Sequence, residues 1–453
     1  MPPSAPGRLD AAELEALVEA GEVDTVVACL TDVQGRLQGK RLHARYFLDE
    51  VLAHGTEACN YLLAVDVDMN TVGGYAISSW ERGYGDFVLR PDLGTLRRAS
   101  WLPATVIVQC DVLWLDGAPV VQSPRQILAA QVEQAAELGF TAVAGTELEF
   151  LVFDDTFEQA WDKRYTGLTP SNRYNVDYSV LGTGRVEPLL RDIRNAMYAA
   201  GLRVESAKGE CNYGQHEIAF RYAEVIKTAD DHALYKTAAK EIAAAHGKSL
   251  TFMSKYDERE GNSCHIHMSL RSTDGGVVFD SDAGRTEVFG GFVAGVLATL
   301  REFTLLYAPN VNSYKRFAAG SFAPTKVAWG EDNRTCSVRV VGHGPSLRPE
   351  LRLPGGDVNP YVALAGMLGA GLYGIRKGLT LPEPYTGNAY SSDLPTVPTT
   401  LREARDLFAG SAVAREVLGD EVVDHYVNAA DVELAAFEAA VTDWERVRGF
   451  ERL

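Results

Sequence analysis

Two glutamates stand two residues apart inside an otherwise apolar run, Gly145-Thr146-Glu147-Leu148-Glu149-Phe150. With Phe140–Ala144 before it and Leu151–Phe153 after it, the segment reads as a strand. Side chains at i and i+2 of a strand share a face, about 6–7 Å apart. Leu148, Phe150 and Val152 therefore point one way, and Glu147 and Glu149 the other. Two carboxylates held that close are costly unless a positive group stands beside them. The segment alone admits two readings, an edge strand with a solvated acidic face or a cation site.

The half-polar pattern recurs. In Cys264-His265-Ile266-His267-Met268-Ser269-Leu270, both histidines and Ser269 share one strand face. In Lys208-Gly209-Glu210-Cys211-Asn212-Tyr213-Gly214-Gln215-His216-Glu217-Ile218, a turn at Gly214 separates Glu210 from Glu217, which opens another strand. Arg348, Glu350 and Arg352 alternate with leucines in Leu347–Leu353, and Arg339 lies in a similar stretch. Singly, these are satisfied polar histidines, surface charges and an ion-pair ladder. Side by side they line a sheet face with Glu, His and Arg, which bound cations and anions make tolerable. Carboxylates with one histidine suit hard divalent cations, Mg²⁺ or Mn²⁺. Zinc fits poorly, because the cysteines lack ligand spacing. Arginines beside such ions suit phosphate and carboxylate substrates. Together they predict metal-assisted phosphoryl transfer from a nucleotide to an acid.

Composition narrows the alternatives. The 453-residue chain is long enough for a large core and two domains, and 46% hydrophobic with 23% charged residues is ordinary for a soluble protein. A net charge of −18 argues against a nucleic-acid partner and favours cations near the surface. Six scattered cysteines without a CxxC read as reduced thiols of a cytoplasmic protein. Neither a signal peptide nor a membrane-spanning apolar run is expected.

The expected organisation is mixed α and β. Residues 1–7 are read as disordered, and Asp10–Ala20 as a helix ended by Gly21. Val26–Asp32, a tight turn through Gly35 and a strand from Leu37 make a hairpin. The domain boundary is placed at Leu102-Pro103, so that the strand Thr105–Val112 opens the larger domain. Ser123-Pro124-Arg125-Gln126 reads as a capping box with proline at the first helical position. Further helices are expected over Pro188–Gly201, Thr228–Gly247, Arg285–Tyr307, Pro360–Lys377, Leu401–Phe408 and Glu421–Val447. There is no P-loop. Gly369-Ala370-Gly371-Leu372-Tyr373-Gly374 fits Gly-x-Gly-x-x-Gly, but it lies within a helical stretch, where close helix packing explains it better.

In this order, the segments resemble the glutamine synthetase family, type I bacterial branch, over nearly the whole chain. The matching stretches are Leu30–Gly35, Gly145–Phe150, Glu210 through Gly214–Ile218, His265–Ser269, Asn312–Arg316, Asn333-Arg334 to Arg339, Arg348–Arg352 and Asn359–Tyr361. The resemblance implies an α+β fold: a small N-terminal β-grasp domain, residues 8–103, and a catalytic domain, residues 104–453, with a curved antiparallel active-site sheet. It implies one metal held by Glu149, Glu210 and Glu217, and another by Glu147, His265 and Glu350. Glu205, His267, Ser269 and Arg339 would contact ATP. Arg316, Arg334 and Arg352, with the backbone near Gly261, would hold glutamate and the transferred phosphate. Asp32 of a neighbouring subunit would help deprotonate the amine. The implied assembly is a homododecamer of two stacked six-membered rings. The implied reaction forms γ-glutamyl phosphate from L-glutamate and ATP, then an amide.

The chain departs from the family pattern where the amine binds. Glutamine-forming enzymes carry a glutamate in the loop after Asn-Ser-Tyr-Lys-Arg, closing the ammonium pocket. Here Phe322 stands at that position, and no acidic residue occurs from Phe317 to Gly330. The family's His-His before the third carboxylate is Lys208-Gly209, and the run before the first histidine is altered to Glu260-Gly261-Asn262-Ser263. The expectation is a γ-glutamyl-amine ligase acting on a polyamine or an amino alcohol such as ethanolamine. Ordinary glutamine synthesis from ammonium, and a catalytically idle relative, are the alternatives. Tyr390 lies roughly where some relatives carry an adenylylated tyrosine, and a plain loop tyrosine is the preferred reading.

Overall fold

The structure is a computed structural model that describes residues 7–453. The expected disorder of residues 1–6 lies outside the described residues, while the Gly7 carbonyl accepts the Arg98 N–H at 3.0 Å. The first helix, Ala11–Glu19, starts at a capping box in which Asp10 and Glu13 satisfy each other's backbone N–H.

The N-terminal sheet contains β1 (Thr25–Thr31), β2 (Leu37–His43), β3 (Thr56–Cys59), β4 (Asp86–Pro91), β5 (Arg97–Arg98) and β6 (Thr105–Leu113). Its order is β2-β1-β6-β4-β3, with β5 beside β6. The β1–β2 hairpin turns at Gly35, whose φ of +80° favours glycine. The expected domain boundary is corrected here. β6 does not open the larger domain, because it pairs parallel with β1 and antiparallel with β4 at the centre of the first sheet. A continuous apolar run is buried on both faces wherever it goes, so the pattern alone does not reveal which sheet it joins.

The second sheet contains β7 (Phe140–Phe153), β8 (Val204–Gly209), β9 (Gln215–Phe220), β10 (Ala223–Glu224), β11 (Ser249–Thr251) and β12 (Cys264–Ser272). After a small hairpin, β13 (Asp280–Ser281) and β14 (Gly284–Arg285), it adds β15 (Trp329–Glu331), β16 (Val338–Val341) and β17 (Arg348–Leu351). The order is β15-β16-β17-β12-β7-β9-β8, with β10 and β11 also on β7. Every pair is antiparallel except β15–β16, which is parallel. Leu148, Phe150, Ile218, Ile266, Met268 and Leu351 face the main core, as the alternation requires. Arg125 joins the two parts, pairing with Asp92 and Asp111 of the first and with Asp230 of the second.

The helices follow expectation in place more than in detail. Ser123 makes no side-chain cap to the helix Pro124–Glu137, so the expected capping box is absent. Gln126 donates instead to Asp111 at 3.2 Å. The helix expected over Arg285–Tyr307 is broken into Glu287–Thr299 and Thr304–Tyr307, and that over Glu421–Val447 into Asp420–Ala439 and Asp443–Gly449. The second break is set by Thr442, which caps a new helix in a box with Glu445.

The glycine run 369–374 lies inside the helix Pro360–Lys377 and lets it touch Glu287–Thr299 backbone to backbone. A Cβ on Gly374 would stand 2.1 Å from the Gly291 carbonyl oxygen, and one on Gly295 2.1 Å from that of Ala370. We expect Gly374→Ala to destabilise by about 1–3 kcal/mol through overpacking. Gly290→Ala on the same helix pair, with nothing within 4 Å of its Cβ, should be neutral or up to ~1 kcal/mol stabilising. Urea-unfolding midpoints of the two variants test the contrast.

Candidate active site

The register of β7 with its neighbours distributes the charges. β7 places Glu147 directly opposite His265 of β12 and Glu149 opposite Glu217 of β9. Glu217 in turn faces Lys208 of β8. On the other side, Glu350 of β17 lies opposite both His267 of β12 and Arg339 of β16. The two-residue spacing therefore hands Glu147 and Glu149 to different neighbours. Ligand atoms of Glu149, Glu210 and Glu217 lie within 4.8 Å of one another, as do those of Glu147, His267 and Glu350.

His265 stands between the second pair of acids, its Nδ1 3.5 Å from Glu147 and 3.5 Å from Glu350. His267 is nearer to Glu147, with Nε2 at 3.0 Å. Its Nδ1 accepts from Arg348 Nε at 3.2 Å. That contact puts the ring proton of neutral His267 on Nε2, where it is donated to Glu147. A nitrogen so protonated has no lone pair for a metal, which leaves His265 as the ring available to a cation.

Electrostatics separates the two clusters. Burial raises the Glu147 carboxyl, but hydrogen bonds from His265 and His267 outweigh it and hold the group well below the ordinary range. Glu350, also buried, is lowered by His265, Arg352, His267 and Arg339. Burial, then Arg352, keeps His265 below its usual value and therefore neutral. The other cluster lacks this support. Glu217 is 8% exposed at its side chain, and burial pushes its carboxyl up to about 8 against the pull of Lys208. The Lys208 ammonium pairs with Glu210 and lies 3.9 Å from Glu217. A cation thus already stands where three acids converge, which is the donor set a hard divalent ion fits.

Two cavities meet at Glu147. One, of about 320 Å³, is lined by Glu149, Glu210, Glu217, His265 and Glu350, with Gly261, Arg316, Phe322, Arg334, Arg339 and Arg352. Arg316 is buried and donates to the Leu353 and Pro354 carbonyls, and burial lowers its pKa to about 10. Arg352 pairs with Glu350 and donates to the Phe322 carbonyl at 3.3 Å. Gly261 has no room for a side chain, since a Cβ would lie 2.2 Å from the Ser254 carbonyl oxygen. The Ser263 N–H at 2.7 Å and the Gln215 amide at 3.2 Å orient Glu149. The second cavity, of about 420 Å³, brings together Glu205, His267 and Ser269 with Tyr222 and Arg348. Sequence reasoning missed Arg348 as a site residue. Its only signal was its place on the same strand face as Glu350 and Arg352.

Two expected residues are placed differently. Arg339 does not line the cavity of Glu205 and His267; it donates to Glu350 and to Asp332, each at 2.8 Å. Asp32 does not present a free carboxylate. Its side chain has no exposed surface and accepts from the Arg36 N–H at 2.8 Å, Arg36 Nε at 2.7 Å and Gln38 Nε2 at 3.2 Å. The carboxylate closes its own β-turn and is sealed even in the single chain, so it does not fit the role of a base for a neighbour's amine. Tyr390 is half-buried and its hydroxyl donates to the Ala323 carbonyl at 3.1 Å, bracing the Phe322 loop as a structural tyrosine.

Comparison with known proteins agrees with this geometry. The profile of the glutamine synthetase catalytic domain matches residues 121–448. The chain is 66% identical to the γ-glutamylethanolamide synthetase GlnA4 of Streptomyces coelicolor over 441 residues, 97% of this chain and 96% of the relative. It is 36% identical to a glutamate–isopropylamine ligase of a Pseudomonas species over 95% of this chain and 96% of that one. Among solved structures, a GmaS/ADP complex superposes with a TM-score of 0.84 at 25% identity, covering 97% of this chain and 99% of its own. Sheet, cavities and comparisons agree that the chain belongs to the glutamine synthetase family.

Proposed function

We propose that this protein is an ATP-dependent ligase joining the γ-carboxylate of L-glutamate to ethanolamine. The carrying observation is Phe322, a residue 54% exposed that lines the acceptor cavity, where no acid exists from residue 317 to residue 330. An apolar ring offers nothing to a bare ammonium ion but packs against the carbon chain of a larger amine. The names of the two relatives above, an ethanolamide synthetase and an isopropylamine ligase, support the same reading.

Mg²⁺ or Mn²⁺ held by Glu149, Glu210 and Glu217, and by Glu147, His265 and Glu350, would offset charge on the ATP phosphates. Glu205, His267 and Ser269 would hold the nucleotide in the second cavity. Arg316, Arg334 and Arg352, with the Gly261 backbone, would hold glutamate so that its γ-carboxylate attacks the terminal phosphate. Arg316 and Arg352, buried and fixed beforehand by backbone carbonyls, would stabilise that charge without reorganising, while the exposed Arg334 is free to close on it. The ammonium gives up one proton to solvent, the neutral amine attacks the γ-carbonyl carbon of γ-glutamyl phosphate, and phosphate departs with the proton that amide formation releases. For assembly, the same reading carries two stacked six-membered rings. The exposed Trp444 and Val447 on the last helix offer apolar surface for it, and sedimentation velocity would test it.

The pKa of Glu217 gives a signed pH dependence. Its carboxyl lies near 8 in the fold, against an ordinary 4.5, so at neutral pH the metal-free fold holds a proton that the unfolded chain has lost. Stability from this group is present below about 4.5 and falls as pH rises toward about 8. A cation needs the carboxylate and must expel the proton, so binding tightens across the same window. We expect Mn²⁺ to raise the thermal midpoint more at pH 8 than at pH 6, and Glu217→Gln to abolish most of that difference. Equal shifts at both pH values would remove Glu217 from the cation site.

Steady-state turnover with ethanolamine, isopropylamine, putrescine, spermine and ammonium tests the substrate. Ethanolamine is expected to give the highest kcat/KM, and ammonium as the best substrate would falsify the reading. Restoring an acid by Phe322→Glu should shift preference toward ammonium by about tenfold, the order of one charge-assisted hydrogen bond.

A further inference from the structure

Without the loop acid, a protonated amine in this cavity is recognised by one of its remaining carboxylates, and Glu149, Glu210, Glu217, Glu147 and Glu350 belong to the two cation clusters. Asp177 and Tyr178 lie on the wall of the Phe322 cavity. They are carried by a segment pinned to the sheet through Val176, whose side chain is completely buried. Under Val176 lies Gly209, where a Cβ would stand 2.3 Å from the Val176 carbonyl oxygen. Gly182 makes a second close approach, its Cβ position 2.5 Å from Val176 Cγ1. The Tyr178 N–H donates to the Gly209 carbonyl at 3.3 Å. A side chain at position 209 would lift this segment off the sheet. The Lys208-Gly209 pair, which replaces His-His, is thus what seats Asp177 and Tyr178 at the cavity.

Both residues are presented to a ligand. Tyr178 has φ +53°, a conformation sparsely populated by residues other than glycine, and the residue is 72% exposed. The Lys208 ammonium lies 4.9 Å from its ring centroid, so a primary alkylammonium already sits on that face. The Asp177 carboxylate is exposed, and no ion pair ties it to a basic side chain among the described residues. Its polar neighbours are the Cys211 thiol, at 3.6 Å, and the Glu210 carboxylate, within 4.8 Å.

We propose that Asp177 is the carboxylate that recognises the ammonium end of the amine substrate, with Tyr178 and Phe322 flanking its carbon chain. This assignment rests on the amine-ligase reading and names how that site selects its substrate class. A primary alkylammonium engages the carboxylate and both rings, whereas a bare ammonium ion engages the carboxylate alone.

The test compares KM for ethanolamine with KM for hydroxylamine, which is uncharged at neutral pH, in the wild type, Asp177→Asn and Asp177→Glu. In Asp177→Asn, KM for ethanolamine should rise about tenfold or more relative to that for hydroxylamine, the loss of one charge-assisted hydrogen bond. KM for ATP should move less than about twofold, and Asp177→Glu should recover part of the loss. An equal rise for both amines would show a structural role and overturn the assignment, as would no rise. A weakened Mn²⁺-dependent thermal shift would place Asp177 with Glu210 instead and likewise overturn it. If the wild type uses ethanolamine and Asp177→Asn matches it, this assignment alone fails. If the wild type uses only ammonium, the ethanolamine reading fails with it.

Discussion

The register between β7 and its two neighbours is the constraint on which the site depends. Acidic and basic side chains crowded on one sheet face are tolerable only if each acid has a positive or hydrogen-bonding group nearby, and pairing decides who meets whom. Glu147 faces His265 across β12, while Glu149 faces Glu217 across β9, with Lys208 beyond. A slip of one residue would turn Glu147 and Glu149 into the core and Leu148 and Phe150 out of it. The cost on the core side is large, since Leu148 and Phe150 are completely or almost completely buried. Hydrophobic packing behind the sheet therefore fixes the placement of charge in front of it. That coupling lets a crowded acidic face exist at all.

The part of this arrangement that depends on one strand at a time was legible in the sequence. Alternation assigned the faces of residues 145–153, 264–270 and 347–353 correctly, because the two-residue period is a property of the local backbone. What depends on long-range pairing was not legible. Thr105–Val112 looked like the start of a new domain, yet it lies in the middle of the first sheet, since an apolar run carries no mark of its neighbours. Asp32 looked available because its motif matched, whereas the turn that contains it consumes both carboxylate oxygens. The capping box at Ser123 failed for a related reason. Gln126 had a better partner in Asp111, a residue of the other domain.

The two acid clusters differ in how they are supported without a metal. Glu147 and Glu350 are surrounded by His265, His267, Arg339 and Arg352, enough donors to keep both carboxylates ionised. Glu149, Glu210 and Glu217 have Lys208 as their one neighbouring basic side chain among the described ion pairs, and Glu217 responds by holding its proton. An internal ammonium and a divalent cation satisfy the same demand, so they compete for one space. A lysine is a flexible point charge and leaves more readily than a guanidinium braced by two hydrogen bonds. The cluster is therefore prepared for a cation without being closed to it.

The departures at Lys208-Gly209 and at Phe322 are far apart in the chain but line one cavity. Gly209 removes a side chain and admits Val176 beneath the sheet edge, which seats Asp177 and Tyr178. Phe322 removes an acid from the facing loop, where Arg352 and Tyr390 hold the backbone in place through the carbonyls of residues 322 and 323. Either change alone leaves a poor site. Loss of the loop acid without Asp177 leaves Glu260 and the clustered metal-site carboxylates as the acids of the cavity. Gain of Asp177 beside a retained loop acid gives two carboxylates competing for one small cation, at a cost in repulsion. Together they exchange a pocket closed by one acid for a slot with a charge and two rings, the shape of a short alkylammonium. On the proposed reading, amine choice in this chain is thus a property of the pair, and neither half of it reads correctly without the other.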